Sequence, residues 1–265
     1  MSAPRIFDRQ HYDALNSSRG ARVSQIISEL KEPLGLRTAV DVGCGLGHFS
    51  GLLKSFGLDV LGVDGRQENV EEAQRRFPQI PFRICNAQES ALRDLGRFDL
   101  VFCFGLLYHL ENPLIAIRQL CAMTAKLLLV ESVIFPGDEP IMALVDEGKT
   151  EDQGLNHIAF YPTEACLIKM LYRSGYSHVY VFNVPPDHSE YRSGAYARRT
   201  RTMLAASANP LLSNLLRPLA EPNTHIAPWD PTSGVPQSRA LQRLRTLMGQ
   251  SLPRKLKSMG KRVKE

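Results

Sequence analysis

A doubly wound α/β sheet is the fold class this sequence predicts, and three observations predict it. Short apolar runs alternate with helically spaced segments from Thr38 to Ala206. A glycine-rich turn, Gly43-Cys-Gly-Leu-Gly47, joins the first run to the helix after it. The chain of 265 residues is 43% hydrophobic and 22% charged, enough for one large core and too apolar for disorder throughout. No stretch approaches the roughly 18 uninterrupted apolar residues of a membrane helix. The opening MSAPRIFDRQHY has no apolar signal region, so a cytoplasmic setting is expected. Five scattered cysteines without a CxxC pair read as reduced thiols, and neither a zinc cage nor another metal cluster is expected.

Taken in order, Ser17 or Ser18 is expected to cap a helix carrying Val23, Ile26, Ile27 and Leu30, ended by Pro33 and Gly35. Thr38–Val42 is the first strand. His48–Phe56 is the next helix, stopped by Gly57. Leu58–Val63 is a strand broken by Asp64-Gly65, and Glu68–Phe77 a helix ended by Pro78. Pro81–Cys85 reads as strand, Ala87–Leu95 as a weak helix and Phe98–Phe104 as a strong strand. Pro113–Met123 has helical spacing, and Lys126–Glu131 is the fifth strand. Residues 132–162 show no period and carry several Pro and Gly, which marks an insertion acting as a lid or substrate loop. Thr163–Arg173 is helical, and Ser177–Val184 and Thr200–Ala206 close the sheet. The expected organisation is a helical segment (1–36), the sheet domain (37–207), then a Pro-containing linker and basic tail (208–265), with a helix over Gln237–Met248.

The glycine turn carries the most chemistry. Glycines let backbone approach a ligand, and a helix start beside them favours negative groups. A dinucleotide fingerprint would need glycine at position 48, which is His48. The spacing is instead G-x-G-x-G, preceded by Asp41, an acid suited to an amino group and repulsive to a pyrophosphate. This Asp41-Val-Gly-Cys-Gly-Leu-Gly47 segment resembles motif I of class I S-adenosylmethionine-dependent methyltransferases. The resemblance implies a Rossmann-like sheet of seven strands, the last antiparallel. It implies S-adenosyl-L-methionine as cofactor, held by Asp41, Gly43, Cys44, Gly45 and Gly47. Asp64, with Gly65, resembles the ribose-binding acid of motif II. Asn86-Ala87 resembles the pair that contacts adenine. Phe98–Phe104, followed by Gly105, resembles motif IV, whose end borders the transferable methyl group.

A second likeness is narrower. Gly105-Leu-Leu-Tyr-His-Leu-Glu-Asn-Pro113 is similar to a segment of the tRNA wobble-uridine carboxymethyltransferases, which use carboxy-S-adenosyl-L-methionine. Glu131-Ser-Val-Ile-Phe-Pro-Gly-Asp-Glu139 and Phe160-Tyr-Pro-Thr163 follow the same family, and Arg192 falls near its arginine-rich stretch. That family carries a substantial N-terminal region with part of its carboxylate- and tRNA-binding apparatus, whereas 37 residues precede Thr38 here. Arg19 is the nearest positional counterpart of a lysine from that region. The expectation is therefore ordinary S-adenosyl-L-methionine as donor and methyl transfer to an O, N or C acceptor. The alternatives are methyl or carboxymethyl transfer to tRNA, or a noncatalytic cofactor-binding subunit.

Tyr108 and His109 are the catalytic candidates. Following strand four, a phenol there can orient an acceptor and an imidazole can take its proton; the plainer reading is a pair that hydrogen-bonds its own loop. His157 and Tyr161, with Arg192, are expected at the acceptor pocket, the alternative for the first two being lid packing. His48 is expected to pack beside the glycine turn, Cys44 and Cys103 to fill space, and Asp138 and Glu139 to form a solvated turn.

Charge divides unevenly. From Ser193 onward there are 13 Lys/Arg against 3 Asp/Glu, while the residues before hold 19 against 24. Within 253–264, six basic residues interleave with Leu256, Met259 and Val263, which with Leu252 approximate one helical face. The expected partner of this tail is a polyanion, RNA or an anionic membrane surface, the latter making the protein peripheral at a membrane.

Overall fold

The computed structural model describes residues 6–150, 152–193 and 198–223. The expectations for Gln237–Met248 and for the basic run at 253–264 lie outside them.

Helix α1 spans Gln10–Leu34 and buries Leu15, Arg19, Val23, Ile26, Ile27 and Leu30 at helical spacing. It begins well before Ser17. The apolar stripe continues through a buried arginine to Leu15, and that arginine breaks the hydrophobic pattern in sequence. Gly35, in the left-handed region at φ 58°, ends the helix; the Gly35 and Leu36 amides donate to the carbonyls of Glu32 and Lys31. Pro33 is accommodated in the last turn.

The strands β1 (Thr38–Val42), β2 (Asp59–Asp64), β3 (Phe82–Ile84), β4 (Phe98–Phe104) and β5 (Thr124–Val133) are mutually parallel in the order β3-β2-β1-β4-β5. Beyond β5 lie β9 (Arg201–Ser207), β8 (His178–Phe182) and β10 (Leu216–Leu219), each antiparallel to its neighbour. Among the described residues the sheet thus has the seven expected strands and an eighth, β10, at its edge. One compact unit runs to Pro222, so that β10 lies past the Ser207 boundary expected from sequence. Pro218 is tolerated in β10 because that strand lies at the sheet edge.

Alternation along the strands feeds two apolar layers. Leu100, Phe102 and Phe104 of β4 pack with α1 and with Phe49 and Leu53 of α2 (His48–Ser55). Val101 and Cys103 face the opposite layer, with Ile117 and Leu120 of α4 (Pro113–Met123) and Leu167 and Leu171 of α5 (Glu164–Arg173). Thr163 caps α5, its hydroxyl accepting from the Cys166 amide at 3.0 Å. Helix α3 (Gln67–Arg76) follows β2, and the weak helix expected at 87–95 is a 3₁₀ turn over Ser90–Leu95.

The insertion contains a hairpin, β6 (Met142–Asp146) with β7 (Ile158–Pro162). Its periodicity is hidden in sequence because the outward positions of β6 include Met142 and Leu144, 40% and 62% exposed.

Candidate functional site

A cavity of about 290 Å³ opens at the C-terminal ends of β1, β2 and β4, where the strand order reverses direction between β1 and β4. Its first wall is the glycine turn. The Gly43 and Cys44 amides both donate to the Val63 carbonyl, at 2.8 and 3.0 Å, pinning the turn to β2. Gly43 has φ 76°, and a Cβ there would lie 2.9 Å from the Leu106 side chain. Gly47 starts α2 at φ 84°, where a Cβ would meet Phe77 and Phe82 at 3.0 Å. Gly47 therefore shapes the turn from behind.

Asp64 ends β2 at the cavity wall. Its Oδ2 accepts from the Gly45 amide (2.9 Å), and its Oδ1 accepts from the Arg66 amide (2.9 Å) and Asn69 Nδ2 (3.2 Å). Burial pushes its carboxyl above the ordinary range despite these bonds. Asp41 sits behind the turn. It is 2% exposed, Ser50 Oγ donates to its Oδ2 at 2.7 Å, and burial pushes its carboxyl up to about 7. Gly65, Asn86 and Ala87 line the same wall, as do Cys44 and Gly45. Asn86 is oriented by accepting the Gln88 amide on Oδ1 (3.1 Å) and donating to Glu89 (3.2 Å).

The opposite wall is built from the end of β4, through Phe104, Gly105, Tyr108 and His109. Under it lies a polar knot that sequence reasoning missed. Glu131 is fully buried, and its Oε1 accepts from Arg19 Nη2 (3.3 Å), Arg201 Nη1 (3.2 Å) and the Tyr191 hydroxyl (2.8 Å). Burial alone would raise the Glu131 carboxyl, but the two guanidiniums and the Tyr191 bond outweigh it and hold it low. Arg201 also pairs with Glu190, lies 3.5 Å from the Tyr108 hydroxyl and stacks 5.7 Å from that ring. Arg19 and Arg201 both line the cavity. Arg19 had surfaced in sequence only by position; Arg201 carried no signal beyond lying in the last predicted strand.

His109 Nδ1 lies 2.6 Å from Glu147 Oε1, and Glu147 Oε2 accepts the Gly154 amide at 2.8 Å. The loop after β6 also reaches α1, where the Tyr12 hydroxyl donates to Asp152 Oδ2 (2.6 Å), and the start of α3, where Arg66 Nη2 donates to the Gln153 carbonyl (2.8 Å). It thus forms a roof over the cavity.

Three residues expected at the acceptor pocket are placed otherwise. His157 has φ 58° and bonds the Gly148 carbonyl at 3.2 Å, outside the cavity lining. Arg192 pairs with Asp187 at the surface. Tyr161 meets the Tyr108 ring edge-on at 5.8 Å, behind the lining. His48 lines the cavity and Cys103 is fully buried in the core. Folding also gathers His11, His188 and Glu190, residues with no metal-binding spacing in sequence. Glu190 is shared there between His11, at 3.2 Å, and Arg201.

Residues 40–126 match the family model described as a methyltransferase domain. The tRNA U34 carboxymethyltransferase of Actinobacillus succinogenes is 31% identical over 159 residues, covering 56% of this chain and 47% of that protein. The one from Pseudomonas putida strain GB-1 is 27% identical over 201 residues, covering 64% and 62%. The chain thus spans about half to three fifths of the length of these curated relatives. Among solved structures, the N-terminal domain of EvdMO1 with S-adenosylhomocysteine bound aligns with a TM-score of 0.60 at 20% identity, over 72% of this chain and 81% of that one. An S-adenosylmethionine-dependent methyltransferase from Clostridium acetobutylicum aligns at 0.55 and 11% identity, over 77% and 97%.

Proposed function

We propose that this chain is a catalytic class I S-adenosylmethionine-dependent methyltransferase domain, moving a methyl group from S-adenosyl-L-methionine to an O, N or C acceptor. The observation that carries the reading is the Asp64 carboxyl held against a glycine-rich turn at the C-terminal edge of the parallel strands. The residues present fit that donor. Asp64 offers acceptor oxygens for the ribose hydroxyls, Asn86 and Ala87 offer an edge for adenine, and Gly43 to Gly45 leave space for the amino-acid portion. Asp41 acts from behind the turn, shaping it rather than touching the ligand.

The donor supplies an already activated methyl group, so the protein's task is alignment and exclusion of water. Phe104 and Gly105 border the reacting end, Tyr108 orients the acceptor, and His109 takes its proton where the acceptor carries one. The loop roofing the cavity, tied to Tyr12 and Arg66, keeps water out. Calorimetric titration with S-adenosyl-L-methionine, followed by transfer of labelled methyl to bulk tRNA or to a small-molecule extract, tests this reading. Binding without transfer to any acceptor would favour a noncatalytic subunit; absence of binding would remove the reading.

One observation favours a second donor. Arg201 brings a guanidinium to the cavity beside Tyr108, where a carboxylated donor would find a partner. That guanidinium is already opposed by Glu131 and Glu190, which supports the ordinary donor as preferred. Competition between S-adenosyl-L-methionine and its carboxylated form decides; tighter binding of the latter would point to carboxymethyl transfer. For the basic run at 253–264, the reading is contact with a polyanion, RNA or an anionic membrane.

A further inference from the structure

We infer that Glu147, carried on the lid hairpin, is a positioning residue for His109. It holds the imidazole in the Nδ1–H tautomer and leaves Nε2 as the base for an acceptor that loses a proton. This deepens the proposed function and rests on it.

The geometry is specific. Only 2% of the Glu147 side chain and 11% of the His109 side chain are exposed, and their 2.6 Å contact joins the lid to the cavity wall. A carboxylate so far from water needs partners on both oxygens. The Gly154 amide occupies Oε2, and the imidazole meets Oε1, so the contact is satisfied with the proton on Nδ1. The other ring nitrogen then has its lone pair free on a residue that lines the cavity. The Tyr108 ring, with centroids 4.1 Å apart, limits ring rotation from the other side.

The lid's own structure serves this contact. The Glu147 amide donates to the His157 carbonyl at 2.8 Å, closing the hairpin immediately beyond β6. Gly154 approaches so closely that a Cβ would lie 2.7 Å from the His109 carbonyl. The dyad is therefore assembled by lid and wall together. The acceptor class it implies carries a hydrogen on its nucleophile, a hydroxyl or an N–H. As the new bond to the methyl carbon forms, that proton passes to His109 Nε2, and the pair of the broken carbon–sulfur bond stays on sulfur as a neutral thioether.

The test is ¹⁵N NMR of the histidine side chains in the full chain at alkaline pH, with His109 assigned by its loss in His109→Gln. S-adenosylhomocysteine calorimetry on the same samples monitors the site. Expected are an Nδ1–H signature for His109 in the wild type and a mixture of tautomers in Glu147→Gln, whose amide can either donate or accept. Glu147→Asp should restore the Nδ1–H form in part, and S-adenosylhomocysteine affinity should stay within about threefold across the variants. Dominant Nε2–H in the wild type, or an unchanged tautomer in Glu147→Gln, overturns the inference while leaving cofactor binding intact. Failure of every protein to bind S-adenosylhomocysteine overturns the proposed function instead, and the catalytic meaning of the dyad with it.

Discussion

Two carboxylates a few ångströms from the glycine turn have different work. Asp64 faces the cavity with three donors already on it, so its oxygens are aimed before any ligand arrives. Asp64→Ala should weaken S-adenosyl-L-methionine binding by about 1.5–3 kcal/mol, the scale of lost bonds to a charged group. Unchanged affinity with an intact fold would remove the ribose role. Asp41 is a stability liability with a definite sign. Its folded value is raised from 3.8 to about 7, so between those values the unfolded chain has released a proton that the folded chain retains. Its contribution to stability is fully present below 3.8, declines as pH rises and is lost once pH passes about 7. Asp41→Asn, which keeps an acceptor for Ser50, should gain stability over the wild type progressively across that window and hold the gain above it, by about 2–4 kcal/mol at the plateau. Thermal unfolding of both proteins from pH 4 to 8.5 measures this; a pH-independent difference would refute it.

Elements contribute what single residues cannot. Helix α1 supplies Arg19 to the knot beneath the cavity and Tyr12 to its roof, from one face over two turns. The lid hairpin supplies Glu147 and, through its loop, contacts to α1, α3 and the wall. Gly154→Ala places a methyl group against the His109 carbonyl and the Glu147 carboxylate, at 2.7 and 2.9 Å. The backbone carbonyl cannot yield as a side chain tip would, so the loop should lift, at about 1–3 kcal/mol. Limited proteolysis should then cut residues 148–156 faster than in the wild type, and S-adenosylhomocysteine affinity should fall. Equal cleavage rates would show that the roof is held by Tyr12 and Arg66 alone.

On the scale of the whole molecule, charge is divided unevenly along the chain. The residues before Ser193 carry an acidic excess and those from it onward a basic one. At about 1 kcal/mol per basic residue near an anionic surface, the six charges within 253–264 suffice for salt-sensitive attachment. Vesicle sedimentation and RNA gel shift, each with the full chain and a chain ending at Ser251, should show one polyanion bound and the signal lost on truncation. Identical behaviour of the two proteins would leave the tail without that role. Cofactor binding should survive the truncation, because among the described residues those that line the cavity all precede Thr202.

Strands β1 to β5, the glycine turn and Asp64 were legible in the amino-acid order because each is a local pattern. A run of apolar residues, a turn that only glycine fits and an acid at a strand end all lie within short, fixed spacings. That Tyr108 and His109 stand at the cavity wall was legible for the same reason, since they lie just past a strong strand. The start of α1 was not, since Arg19 interrupts its stripe and is buried only because Glu131 lies 112 positions away to pair with it. The lid hairpin was not, since outward positions of β6 are filled by Met142 and Leu144. Arg192 was expected at the acceptor pocket but pairs with Asp187 at the surface, whereas Arg201 lines the cavity beside Tyr108. That choice belongs to the antiparallel register of β9 on β5, which sets Arg201 opposite Val133 and Met203 opposite Glu131 and so brings the guanidinium within reach of the carboxylate. Buried charges have no local signature: a charged side chain goes inside only where opposite charge meets it, and that meeting is decided by strands and helices distant in sequence.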